Sequence, residues 1–224
     1  NISINDKITY LEYSDNPPKG KKQKEVKRRK KDDHKKRKYF YNQVTIHINI
    51  GKFINVKIFN NGGFQMTGIT DPSQTDEILK FITDILYYKK LIESKNIIDK
   101  EIVLINSDFD IGFKINREKL HRLVTDSGYY SSFEPIIYPG VNIKYYFNNN
   151  NDKCGICKCT EKCNGKGRGC GNGQCKRVTI AVFASGKIII TGGRSVEQLV
   201  DSYDFIKGVL DDVEKFKMIE EINK

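Results

Sequence analysis

The stretch FNNGGFQMTG (residues 59–68) is written a second time, with changes, as FASGKIIITG (residues 183–192). Phe59, Gly62, Thr67 and Gly68 answer to Phe183, Gly186, Thr191 and Gly192, with the same spacing inside each copy. The runs INVKIF (54–59) and VTIAVF (178–183) lead into the two copies. Each copy therefore reads as a strand, a glycine-bearing turn and a returning strand, that is, a hairpin.

A helix signal follows each Thr-Gly. In the first copy Ile78, Phe81, Ile82, Ile85 and Leu86 carry the i, i+3, i+4, i+7, i+8 spacing of one buried face, entered through Asp71-Pro72-Ser73. In the second, Ser195 and Gln198 form a capping-box pattern ahead of a face expected to contain Val196, Leu199, Val200, Tyr203, Ile206 and Leu210. Upstream of the second copy, EIVLINSDFDI (101–111) alternates as a strand and NREKLHRLVTDSG (116–128) reads as a short helix closing at Gly128. YYSSFEPIIYPGVNIKYYF (129–147) then reads as strand, Pro-Gly turn, strand. The repeating unit is β-α-β-β-β-β-α, an α+β design in which helices cover one face of an antiparallel sheet and leave the other open. Residues 1–98 hold the first repeat, whose opening strand and helix are not visible, and residues 99–224 hold the second.

Strand alternation gives the two faces different work. Gln65 with Thr67, and Ile189 with Thr191, share the open surface, while Phe64, Met66, Ile188 and Ile190 pack under the helices.

These motifs resemble the TATA-box-binding protein family, in a form similar to that encoded by large DNA viruses. The second repeat carries the likeness in SSFEPIIYPGVNIKYYF and RVTIAVFASGKIIITGG, and the first carries it in YNQVTIHINIGKFINVKIFNNGGFQMTG. The resemblance implies a saddle of two pseudosymmetric halves with one curved antiparallel sheet, helices on the convex side and the minor groove of DNA under the concave side. It also implies aromatic wedges that enter base steps and kink the duplex. The wedge positions match Tyr138 and Phe183 in the second repeat, and Phe59 with Phe40 or Tyr41 in the first. The family usually has Phe where Tyr138 stands, and a β-branched residue where Gln65 stands.

Beside the wedges, the resemblance assigns DNA contact to Gln65, Thr67, Ile189 and Thr191, with Lys187 and Arg177 as cations on the same surface. The Asn expected in the first strand of each repeat aligns with Leu104, and Asn106 is the nearest one. Glu134, Pro135, Pro139 and Gly140 lie in the loop implied to meet a transcription initiation factor B-like partner, alongside RNA polymerase. The function so implied is a transcription initiation factor that binds and bends AT-rich promoter DNA. The alternative is a non-catalytic structural or interaction module that kept the fold, lost groove binding, and docks through its cysteine-rich loop.

Composition agrees with a globular chain: 224 residues, 38% hydrophobic and 11% aromatic, enough to bury a core. The net charge of +11 is concentrated. Residues 19–38 hold 13 Lys or Arg against Glu25, Asp32 and Asp33, a net +10, so the other 204 residues carry +1. This run fills an insertion at 17–38. It reads either as a set of phosphate contacts or as a solvated loop or localisation signal. No apolar stretch reaches the roughly 18 residues that span a bilayer, and no signal-peptide succession opens the chain. The expectation is an intracellular protein of the nucleus or a viral factory, or one packaged in virions.

A second insertion, residues 148–176, holds all six cysteines: Cys154, Cys157, Cys159, Cys163, Cys170 and Cys175. A glycine-rich loop this small cannot order itself by apolar burial, and zinc can supply the missing folding energy. Cys154 and Cys157 make one CxxC half-site, while disulfides remain the rival reading. His34, His47 and His121 are scattered over a basic run, a strand and a helix, and no catalytic constellation forms around them.

Overall fold

A computed structural model describes residues 5–14, 16–21, 41–150 and 153–211. The chain divides into two compact units, Asn1–Ile98 and Asp99–Lys224. Strands pair into two five-stranded antiparallel sheets, one in each unit.

The second unit runs β6 (Ile105–Asp110), α2 (Arg117–Asp126), β7 (Tyr130–Ser132), β8 (Val141–Phe147), β9 (Lys176–Val182), β10 (Lys187–Gly193), α3 (Val196–Leu210). This is the β-α-β-β-β-β-α order of the repeat. In space the strands follow β6-β10-β9-β8-β7. Alternation decides the packing: Val141, Ile143, Tyr145 and Phe147 of β8, Val178, Ile180 and Val182 of β9, and Ile188 and Ile190 of β10 all turn to the helices and are buried. Leu120 and Val124 of α2 and Leu199, Ile206 and Leu210 of α3 close that core. Gly128 takes φ +84 just beyond α2, a left-handed stop that suits glycine.

The first unit runs β1 (Ile8–Tyr13), β2 (Lys19–Gly20), β3 (Gln43–Asn49), β4 (Phe53–Phe59), β5 (Phe64–Thr67), α1 (Pro72–Tyr88), with strand order β2-β1-β3-β4-β5. Among the described residues it has no counterpart of β6 and α2. Ile46, Ile48, Ile54 and Val56 meet Ile78 and Ile82 of α1, with Phe64, Met66, Phe81, Ile85 and Leu86 packed around them. Asp71 caps α1: its side chain accepts from the Ser73 amide while the Gln74 side chain answers the Asp71 backbone.

Three local readings are corrected. The strand expected from Glu101 begins only at Ile105. Ser195 caps α3 by accepting from the Gln198 amide, but the Gln198 Oε1 accepts from the Arg194 amide at 2.8 Å rather than from Ser195. The buried face of α3 is also rotated from the one expected. Val196, Val200 and Tyr203 are 70%, 49% and 40% exposed, while Asp201 and Ser202 are buried. The 148–176 insertion meets this polar flank of the helix: Lys153 pairs with Asp201 at 2.8 Å and Gln198 donates to the Arg168 carbonyl at 3.0 Å.

Candidate nucleic-acid interface and thiol cluster

The two quoted stretches have one backbone. Gly62 and Gly186 take φ +82 and +91, and Gly68 and Gly192 both take +99. The Phe59 amide donates to the Gly63 carbonyl and the Phe183 amide to the Lys187 carbonyl, both at 2.9 Å and both four residues on. A side chain at 186 would lie 2.3 Å from the Phe113 carbonyl oxygen, so only glycine makes this turn.

Strand register then fixes which residues are equivalent. Val141 pairs with Val182, one residue before Phe183, and Val44 pairs with Ile58, one residue before Phe59. Counting back three places from each puts Tyr41 in the position of Tyr138, and Phe40 lies outside the described residues. The ring centroids of Tyr138 and Phe183 are 5.7 Å apart, tilted by 58°. Both rings lean over Gly140, where an added Cβ would come within 2.8 Å of Tyr138 and 3.3 Å of Phe183. Phe183 and Phe59 are half-buried, and Tyr138 and Tyr41 are exposed.

The face away from the helices can be read across the strands. In the second unit it carries Asn142 and Lys144 from β8, Arg177, Thr179 and Ala181 from β9, Lys187, Ile189 and Thr191 from β10, and Asn106 and Asp108 from β6. Thr191 donates to the Asn106 Oδ1, so Asn106 shares that face, whereas Leu104 precedes the strand. The Lys144 ammonium donates to the Thr179 hydroxyl at 2.9 Å, and Lys187 pairs with Asp108 at 2.9 Å. Burial, with Arg177 beside it, holds the Lys144 ammonium below the usual lysine range. In the first unit the corresponding positions carry Thr45 and His47, Asn55 and Lys57, and Gln65 and Thr67. Gln65 and Thr67 are exposed, as alternation predicts. Tyr10 and His47 stack there with centroids 4.7 Å apart, and both are buried.

Of the loop named with partner binding, Glu134, Pro135 and Pro139 are exposed together with Ile136 and Ile137, while Gly140 is buried beneath the ring pair. The Glu134 carbonyl accepts from the amides of Ile137 and Tyr138, and Arg117 donates to the Pro139 carbonyl. Of the basic run, Lys19 and Gly20 form β2 against β1, and residues 22–38, including His34, lie outside the described residues. His121 instead contacts the Ser131 hydroxyl at 2.9 Å.

The cysteine-rich insertion brings four of its six thiols together. The sulfurs of Cys157, Cys159, Cys163 and Cys175 all lie within 4.8 Å of one another, and the group can hold a metal ion. Cys154 and Cys170 lie outside this cluster, so the CxxC half-site contributes only Cys157. All six thiols are free. Burial pushes the Cys175 thiol up. Glycines let the loop press against the sheet: a Cβ at Gly155 would lie 2.6 Å from the Tyr145 ring and one at Gly169 would lie 2.4 Å from Phe147. No sequence pattern singles out these four cysteines; the signal that was legible is the density of Cys and Gly.

Three comparisons bear on this arrangement. The sequence model described as "Transcription factor TFIID (or TATA-binding protein, TBP)" matches residues 99–213. A protein described as "TATA-box-binding protein-like" from Acanthamoeba polyphaga mimivirus is 31% identical over 196 residues, covering 77% of this chain and 48% of that protein. The chain thus spans about half the length of that curated relative. The solved structure of Methanococcus jannaschii TBP superposes with a TM-score of 0.50 at 19% identity, over 78% of this chain and 79% of that one, a likeness of fold alone. With the doubled hairpin and the β-α-β-β-β-β-α unit, these matches place the chain in the TATA-binding protein family.

Proposed function

We propose that this chain is a non-enzymatic transcription initiation factor that binds AT-rich promoter DNA in the minor groove and bends it. The observation that carries this reading is the ring pair Tyr138–Phe183, seated on Gly140 at the rim of an open sheet face, with Tyr41 and Phe59 at the equivalent register of the other unit. An aromatic driven into a base step costs a few kcal/mol of unstacking, recovered when the bent duplex meets more protein. Aromatics at the equivalent register of both repeats would give two kinks.

The helix-free face of each unit, taken by itself, suits the groove. A·T pairs offer only acceptors there, and hydroxyl, amide and methyl groups from Thr67, Gln65, Thr191, Ile189 and Asn106 approach without demanding a donor from the base. Lys144, Arg177 and Lys187 supply charge for phosphates. The exposed loop from Glu134 to Pro139, with Ile136 and Ile137, is the surface that receives an initiation factor B-like partner.

The test uses a short AT-rich duplex with fluorophores at its ends. Wild-type protein brings the ends together, and Phe59→Ala with Phe183→Ala abolishes the change while leaving weak, salt-sensitive binding. A wild-type chain that binds without altering the end-to-end distance overturns the reading.

A further inference from the structure

We propose that Cys157, Cys159, Cys163 and Cys175 bind one zinc ion, and that this ion fixes the 148–176 insertion onto β8, β9 and α3. The geometry carries the first half. Cys159 and Cys175 sulfurs are 3.4 Å apart and those of Cys157 and Cys175 are 3.7 Å apart. Four thiolates around zinc at about 2.3 Å stand about 3.8 Å from one another at the corners of a tetrahedron. A disulfide needs about 2.05 Å. The four sulfurs are thus spaced for an ion between them and not for bonds to each other.

The donor set narrows the ion. Four soft sulfurs with no carboxylate or imidazole exclude calcium and magnesium and favour zinc. With four protein ligands the coordination sphere is closed, which makes the site structural. A second layer is present: the buried Asn148 side chain donates to the Cys175 sulfur at 3.4 Å and to the Gly171 carbonyl at 2.8 Å, tying a ligand to the end of β8.

The insertion's composition carries the second half. Between Asn148 and Lys176 the only apolar side chain other than cysteine is Ile156, and it is 38% exposed. Yet its described residues are held against the sheet and α3. The Tyr146 amide donates to Gly155, the Asn149 amide to Gly169 and the Arg177 amide to Gly165, each at 2.8 Å. Gln198 of α3 donates to the Arg168 carbonyl at 3.0 Å, and Lys153 reaches Asp201 of the same helix. Ordering each residue costs about 1–2 kcal/mol, and a loop without a core has nothing apolar to offset it. Zinc closing three chain segments at once provides the compensation.

The test begins with the metal content of the whole purified chain, where one zinc per chain is expected. Cys154→Ser with Cys170→Ser keeps it, and Cys159→Ser or Cys163→Ser loses it. Because a ligand variant can simply misfold, the wild type is also stripped with a chelator. Trypsin is then expected to cut the apo form at Lys158, Lys162, Lys166 and Arg168 while far-ultraviolet circular dichroism is retained, and added zinc restores protection. Substoichiometric zinc in every form, stoichiometric iron, an intact mass showing disulfides, or unchanged protease resistance after stripping each overturns the proposal.

Discussion

Gln198→Ala probes how α3 holds both its own entry turn and the neighbouring insertion. The side chain is 4% exposed. Its Oε1 accepts from the Arg194 amide at 2.8 Å and its Nε2 donates to the Arg168 carbonyl at 3.0 Å. Alanine removes both partners. The Arg194 amide then sits without an acceptor in the turn between β10 and α3, at a cost of about 1–3 kcal/mol. Arg168 is exposed, so water replaces the lost donor on its carbonyl and the net loss there is about 0.5–1 kcal/mol. The sum is about 1.5–4 kcal/mol, a fall in Tm of roughly 6–15 °C for a unit of this size. Thermal unfolding followed by circular dichroism measures it, beside Gln198→Leu, which keeps the volume but makes neither bond. The two variants should fall together. A leucine variant as stable as wild type would show that space, not hydrogen bonding, is what Gln198 provides.

Two further outcomes follow from the open face. Lys144→Gln should raise the stability of the free protein and weaken DNA binding, because the folded state holds this ammonium below its usual range. By linkage, the charged form's penalty is present below the folded pKa and fades as pH rises through it toward the unfolded value, so the variant's advantage in urea unfolding shrinks at alkaline pH. Its salt slope for DNA binding should fall by about 0.9 if Lys144 neutralises one phosphate. Gly140→Ala should leave Tm nearly unchanged, since the Tyr138 ring can swing aside, yet reduce duplex bending sharply; bending equal to wild type would separate the ring pair from the kink.

Much of this was legible because the repeat constrains the backbone. Gly62, Gly68, Gly186 and Gly192 all take positive φ, so a duplicated glycine spacing implies a duplicated turn, and period-2 runs around it imply which side chains face the helices. What the pattern could not supply came from contacts distant in sequence. The stripe Val196, Val200 and Tyr203 has helical spacing as good as the true one; in the fold Leu199, Ile206 and Leu210 take the sheet core, and the flank with Gln198 and Asp201 meets the insertion through Arg168 and Lys153. The choice of Tyr41 over Phe40 as the partner position of Tyr138 required the pairing of β3 with β4. The four clustered cysteines likewise converge through glycine turns whose closure no spacing rule describes, leaving Cys154 and Cys170 apart.

The central claim, that the helix-free sheet faces meet the minor groove of A·T pairs, is tested most directly by replacing those pairs with inosine·cytosine pairs. Inosine lacks the amino group that G·C adds to the minor groove, so these pairs look like A·T from that side and like G·C from the major groove. The account predicts that the chain binds and bends the inosine·cytosine duplex about as well as the A·T one, and a G·C duplex poorly. Binding that treats inosine·cytosine as G·C, or that does not distinguish the three duplexes, would contradict it.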